Sequence, residues 1–144
     1  MDGETNSRSI RIALEKPSLM CFQSKKEMPA KPTSFGVVAI IRQGDLFLAI
    51  RRGESLRAGG MVCFPGGHVE AGEQDSTAVV RECHEELSID VVPLNEVWKS
   101  VTAWGTALSW WTVEPLQPCY PVAHPIEVQE FFWLSLDDMI AHPD

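Results

Sequence analysis

From residue 35 onward the chain alternates short apolar runs with polar punctuation, at a spacing that suits strands. Phe35 to Arg42 is rich in β-branched residues, Gln43-Gly44-Asp45 interrupts it, and Leu46 to Ile50 is apolar again before Arg51-Arg52. Two such runs around a short glycine-bearing turn predict a β-hairpin. Gly53 to Gly60 reads as a polar loop, and Met61 to Phe64 as a short strand stopped by Pro65-Gly66-Gly67. The period then changes. A helix is expected over about 74–88, with Ser76, Val80, Cys83 and Leu87 as its apolar stripe and Asp75 or Ser76 as its cap. Strand-like runs return at 89–92, 96–103 and 107–114, and Pro115 to Pro125, with four prolines, reads as a loop. Phe131 to Leu134 is the last expected strand, and Ser135-Leu136-Asp137-Asp138 looks like the cap and first turn of a short helix. The order β-β-β-α-β-β-β-β-α predicts a mixed α/β or α+β domain over residues 34–144. Residues 1–33 read as a partly irregular lead-in, with Ser9 to Leu14 alternating as a short strand does.

Composition narrows the partners. At 144 residues the chain is one domain with room for a core, and its formal net charge is −8. That balance argues against stable nucleic-acid binding and against an anionic membrane surface, both of which need basic patches. A small phosphorylated substrate stays compatible, because divalent cations supply positive charge locally. The cysteines, Cys21, Cys63, Cys83 and Cys119, form no CxxC pair and no zinc spacing, so free thiols are expected. No apolar run reaches the roughly 20 residues of a membrane helix. The acidic start, Met1-Asp2-Gly3-Glu4, is unlike a secretory signal, which makes the cytoplasm the expected location.

The chemistry-bearing feature is a set of acidic residues in the helical segment. Glu82, Glu85 and Glu86 stand at i, i+3 and i+4 and so share one helical face. Like charges at that spacing cost a few tenths of a kcal/mol per pair, and a divalent cation reverses the sign. Glu-rich faces are also common as plain solvated surface, so spacing alone leaves both readings open. The surrounding residues decide between them. The segment Gly67 to Ile89 closely resembles the Nudix box, G-x5-E-x7-R-E-U-x-E-E-x-G-U with U a bulky apolar residue. Gly67, Glu73, Arg81, Glu82, Glu85, Glu86 and Ile89 match in identity and spacing. Cys83 replaces a larger aliphatic, and Ser88 replaces the glycine that follows the helix, where a left-handed residue is usual. Phe64-Pro65-Gly66-Gly67, Arg51-Arg52 and the run from Glu127 through Glu130 to Leu136 are similar to other parts of that family, which extends the resemblance over about residues 35–140.

The resemblance implies an α/β/α sandwich around a mixed sheet, and hydrolysis of a nucleoside diphosphate linked to another group X. It implies Mg²⁺, with Mn²⁺ as an alternative, held by Glu82, Glu85 and Glu86, while Arg81 and Glu73 orient the cluster. The general base is left open between a box glutamate and a downstream carboxylate, Glu127 first and Glu130 next. Arg51 and Arg52, at a strand end, are candidates for a substrate phosphate, with a plain surface role equally open. His68 and His84 occupy variable motif positions and are not assigned a role. One of the adjacent Trp110 and Trp111 is a candidate for a base-stacking wall, since neighbours on a strand face opposite sides. The substrate stays open. Residues 47–52, Leu56-Arg57 and 62–67 are partly similar to the coenzyme A diphosphatase branch, one residue short between Arg57 and Gly60. A nucleoside triphosphate pyrophosphatase and a noncatalytic nucleotide-binding regulatory domain are the alternatives, and a homodimer is compatible with the sequence.

Overall fold

The computed structural model describes residues 31–141. All but the end of the 1–33 lead-in, including the strand expected over Ser9 to Leu14, lies outside the described residues. The element order is β1 (Ser34–Gln43), β2 (Leu46–Arg52), β3 (Val62–Cys63), β4 (Gly66–His68), α1 (Asp75–Leu87), β5 (Val91–Val101), β6 (Thr106–Pro115), β7 (Val128–Ser135) and α2 (Leu136–Ile140). The expected mixed α+β architecture is present.

Two strand groups meet along β1. The first runs β4-β1-β6-β5: β4 is antiparallel to β1, β6 is parallel to it, and β5 returns antiparallel on β6. The second places β2 between β3 and β7, both antiparallel. The predicted hairpin joins them through Arg42↔Phe47 and Gln43↔Leu46. Two strand expectations need correction. Pro65 does not end the pairing, because Gly66–His68 continues as β4 against Gly36–Val38; bare glycine backbone can lie flat against a neighbour although it carries no strand signal. The runs 89–92 and 96–103 are one strand, with irregularities at Pro93/Asn95 and Glu96/Trp98 absorbing the break.

The core lies under α1. Val37, Ala39 and Ile41 of β1, Leu48 and Ile50 of β2, Val113 and Val128 pack with Ala78, Val79, Cys83 and Leu87 of α1. The opposite face of β2 and β7 carries a smaller cluster, Ala49, Val62 and Leu134, with Phe132 and Met139 of α2 against it. Helices therefore cover opposite faces. Ser135 caps α2 through a reciprocal pair with Asp138, as its sequence predicts. At α1 the cap is Gln74, which makes no side-chain capping bond, rather than Asp75 or Ser76. The buried stripe of α1 is also displaced from the expected one. It runs through Ala78, Val79, Glu82, Cys83, Glu86 and Leu87, so two of the carboxylates lie on the core side.

Ser88 ends α1 in the left-handed region, at φ 54° and ψ 32°, with its N–H bonded to the His84 carbonyl. A serine Cβ is strained there and glycine is not. Ser88→Gly is therefore expected to stabilise the protein by about 1 kcal/mol, read as a higher urea midpoint at unchanged slope. A lower midpoint would contradict the strain.

Among the described residues Cys63, Cys83 and Cys119 are not joined in disulfides. No helix among the described residues is long and apolar enough to cross a membrane.

Candidate active site

Two pieces of backbone lie on the C-terminal half of α1, the turn into β4 and the loop that enters β7, and the end of β2 is tied to that loop through Gly53 and Glu127. The carboxylates are organised by Arg81. Its guanidinium donates from Nε to Glu73 Oε2 at 2.8 Å and from Nη2 to Glu73 Oε1 at 2.9 Å, a two-pronged pair. Nη1 donates to Glu82 Oε1 at 2.9 Å and to Glu85 Oε2 at 3.0 Å, and Nη2 also reaches the His68 carbonyl at 2.8 Å. One side chain thus ties the loop before α1, the end of β4 and two helical carboxylates together. Glu73 is held down to about 2 by its hydrogen bonds from Arg81, helped by the Glu70 N–H. Arg81 is held more firmly protonated, first by Glu73.

Glu82 and Glu86 are buried, at 8% and 3% exposure, while Glu85 is exposed. Burial pushes Glu86 up to about 8, against the single hydrogen bond it accepts from the Gly66 N–H at 3.0 Å. Burial raises Glu82 too, although Arg81 opposes the shift. The loop lies directly on the helix here, since a Cβ on Gly67 would fall on the Glu82 carboxylate. Cys83, between them, is fully buried and pushed up to about 12 by burial, so its thiol packs as a small apolar group.

Glu127 adds a further negative charge to this place, acting on both Glu82 and Glu86. The positive charge of Arg52 acts on Glu86 in the opposite sense. Along β2, Leu48 and Ile50 point to the α1 side, whereas Ala49 and Arg51 point to the side of Phe132 and α2. The pairing is irregular between Arg51 and Arg52, and Arg52 donates from Nε to the Arg57 carbonyl at 3.0 Å. Arg51 is occupied there, by Glu130 at 2.8 Å, the Gly60 carbonyl at 3.1 Å and the Phe132 ring at 5.6 Å. Glu130 is correspondingly bound up with Arg51 and not with the helix carboxylates. His84 is an exposed partner of Asp90, and His68 contributes its carbonyl only.

As it stands the cluster is not closed around an ion: among the described residues no three acidic, histidine or cysteine side chains are grouped tightly enough to hold one. Arg81 stands between Glu82 and Glu85. The donor set nevertheless fits a hard divalent cation. It is all oxygen, it carries more negative than positive charge, and among the described residues Glu82 Oε2, Glu85 Oε1, Glu86 Oε1 and the Glu127 carboxylate accept no hydrogen bond. A shallow depression lined by Ile40, Arg42, Phe47 and Leu94 lies toward the other end of β1 and β6 and touches none of these groups.

On the far side of the sheet Trp110 tilts on Trp98 at 5.2 Å between ring centres, meets the edge of Phe64 at 6.2 Å, and donates from Nε1 to Ser100 Oγ at 2.8 Å. Trp111 instead packs against the core.

The NUDIX domain model matches residues 30–144, and the chain belongs to the Nudix family. Solved structures agree. The MutT protein from Methanosarcina mazei Go1 is 27% identical, with a TM-score of 0.67 over 78% of this chain and 83% of that one. The E. coli ORF135 protein is 25% identical, with a TM-score of 0.62 over 82% of this chain and 84% of that one. An ADP-ribose pyrophosphatase from Streptococcus suis, 20% identical with a TM-score of 0.58, covers 73% of this chain and 75% of its own and shares the fold. None of the curated proteins matches the chain. The protein is a hydrolase acting on pyrophosphate bonds.

Proposed function

We propose that the protein is a Mg²⁺-dependent hydrolase of a nucleoside diphosphate linked to a second group X, with Glu82, Glu85 and Glu86 as the ion's ligands. The observation that carries this reading is the burial of Glu82 and Glu86 on one helix, with Glu82 paired to Arg81 and the charge of Glu127 acting on both. A protein that only needed a folded helix gains nothing by burying two carboxylates. When bound, a divalent cation supplies positive charge to the diphosphate oxygens and makes water a stronger acid. The chain's own residues do the rest. Arg81 fixes the rotamers of Glu82 and Glu85, and the Gly66 N–H fixes Glu86. Arg52, whose charge acts on Glu86, is the phosphate-binding candidate favoured over Arg51, which pairs with Glu130; Arg52 donates from Nε to the Arg57 carbonyl at 3.0 Å, and its Nη groups would take the anion. Glu127, whose charge acts on Glu82 and Glu86 and whose carboxylate has no hydrogen-bond partner among the described residues, accepts the proton of the attacking water. Trp110, held by Trp98 and Ser100, is the favoured stacking wall for a base.

The test is a panel of nucleotide sugars, ADP-ribose, coenzyme A, dinucleotides and nucleoside triphosphates, incubated with and without Mg²⁺. A diphosphate-linked compound should release a nucleoside monophosphate, only with the ion present. On that substrate Trp110→Ala is expected to raise KM about tenfold while kcat holds, as loss of ~1–2 kcal/mol of ring contact predicts. Hydrolysis that proceeds equally in EDTA, or of triphosphates alone, would reject the reading.

A further inference from the structure

We infer that His124 is the positioning residue for Glu127, acting through the acceptor nitrogen of its ring. This inference rests on Glu127 serving as the base proposed above.

The turn that delivers Glu127 has no regular structure of its own. Its order comes from His124. The ring Nδ1 accepts from two successive backbone N–H groups, Ile126 at 3.3 Å and Glu127 itself at 3.2 Å. The His124 carbonyl accepts from the Val128 N–H at 3.0 Å, which closes the turn onto the first residue of β7. Two further bonds tie this small unit to the site. The His124 N–H donates to the Glu86 carbonyl at 2.8 Å, on the same residue whose side chain is the buried carboxylate. The Gly53 N–H donates to the Glu127 carbonyl at 2.8 Å, directly after Arg52. Gly53 can come this close because it has no Cβ, which would otherwise meet the Ile126 carbonyl. Glu127 is therefore gripped at both its backbone N–H and its C=O, with the grip referred to Glu86 and to the end of β2.

The chemistry of the ring position matters more than its charge. An acceptor one bond beyond Cγ, bonding to the N–H groups two and three residues on, is the role asparagine and aspartate play in turns and caps. Pro125 follows, and its fixed φ favours the turn. Asparagine Oδ1 can occupy the place of Nδ1. Glutamine puts its oxygen nearer the place of the other ring nitrogen, which makes no backbone bond here. The two amides thus separate acceptor geometry from polarity and bulk.

The experiment compares His124→Asn, His124→Gln and His124→Ala with Glu127→Gln, using whichever panel compound the wild type hydrolyses at saturating Mg²⁺. Expected is a kcat within about threefold of wild type for Asn, and a loss of about 10- to 100-fold for Gln and Ala, the range a displaced catalytic group gives. KM and the Mg²⁺ concentration for half-activity should stay within about twofold in all three. Asn and Gln behaving alike, or losses confined to KM or to thermal stability, would overturn the inference while leaving the proposed function in place. Glu127→Gln at wild-type rate would remove the base assignment itself and this inference with it. If the Ala variant does not fold, the Asn–Gln comparison still decides.

Discussion

Glu86→Gln is expected to abolish nearly all turnover and, in the same protein stripped of metal, to raise stability at pH 8. The two effects have one cause. Among the described residues the buried Glu86 carboxyl has a single N–H donor, and burial pushes it up to about 8 from an ordinary value of 4.5. Its folded-state value lies above its unfolded one, so the stability fully present below about pH 4.5 is lost as pH rises toward about 8. The loss is on the order of several kcal/mol. Glu82, raised by burial as well, acts in the same sense. Glu73 acts oppositely and elsewhere: its value is held down to about 2, so its contribution is complete above pH 4.5 and disappears only as pH falls toward 2. Glutamine keeps the shape at position 86 without the charge. In EDTA, melting of the wild type should fall steeply between pH 5 and 8, and that of Glu86→Gln should fall less, by the part that Glu82 alone carries. In Mg²⁺ the wild type should regain the loss and the variant should not. Turnover should drop about 10³-fold, the scale of several kcal/mol of lost charge stabilisation in the transition state. Parallel melting curves for the two proteins would show that this carboxylate carries no burial penalty, and retained turnover would show that it holds no ion.

The second large effect is expected at Arg81. Removing it as Arg81→Met breaks five hydrogen bonds at once and leaves Glu73, Glu82 and Glu85 without their common partner. Stranding carboxylates beside a half-buried cation site costs less than in a sealed core, so about 2–3 kcal/mol is expected. That corresponds to a fall in Tm of roughly 10 °C. Arg81→Lys restores the charge but not the planar fork, and should recover only part of it. The Glu73 carboxyl, followed by NMR, should return toward the ordinary carboxylate range in the Met variant. Turnover should fall about 10- to 100-fold in both variants, because Glu82 and Glu85 lose the contact that orients them. A lysine variant equal to wild type in melting and rate would mean that charge alone organises the cluster.

These expectations draw on two different sources. Identities and spacing along one helix are local, and so they could be read directly: Gly67, Glu73, Arg81, Glu82, Glu85 and Glu86, the hairpin around Gly44, and the cap at Ser135. The left-handed exit at Ser88 was also readable, because the position demands that conformation whatever residue fills it. The faces of α1 were not. Charge suggested that the glutamates look outward, yet Glu82 and Glu86 sit on the buried stripe beside Cys83, because the β4 turn lies over them. Polarity predicts exposure only when no other backbone arrives, and β4 itself was hidden behind Pro65-Gly66-Gly67.

Paired choices show the same limit. Period-two alternation states that Arg51 and Arg52, or Trp110 and Trp111, face opposite ways, but not which side holds the core. Only the packing of α1 on one face and α2 on the other assigns Arg51 to the side of Phe132 and Trp111 to the core. The His124 turn had a trace in the sequence, an acceptor followed by Pro125 ahead of Glu127, but what it anchors depends on Glu86 and Gly53, dozens of residues away. The sequence by itself determined which groups exist for binding an ion and a diphosphate, since side-chain chemistry and helical spacing are properties of neighbouring residues. Only the tertiary structure decided which are buried, which are already paired and which remain free to act, because solvation and partnership are set by segments that meet only on folding.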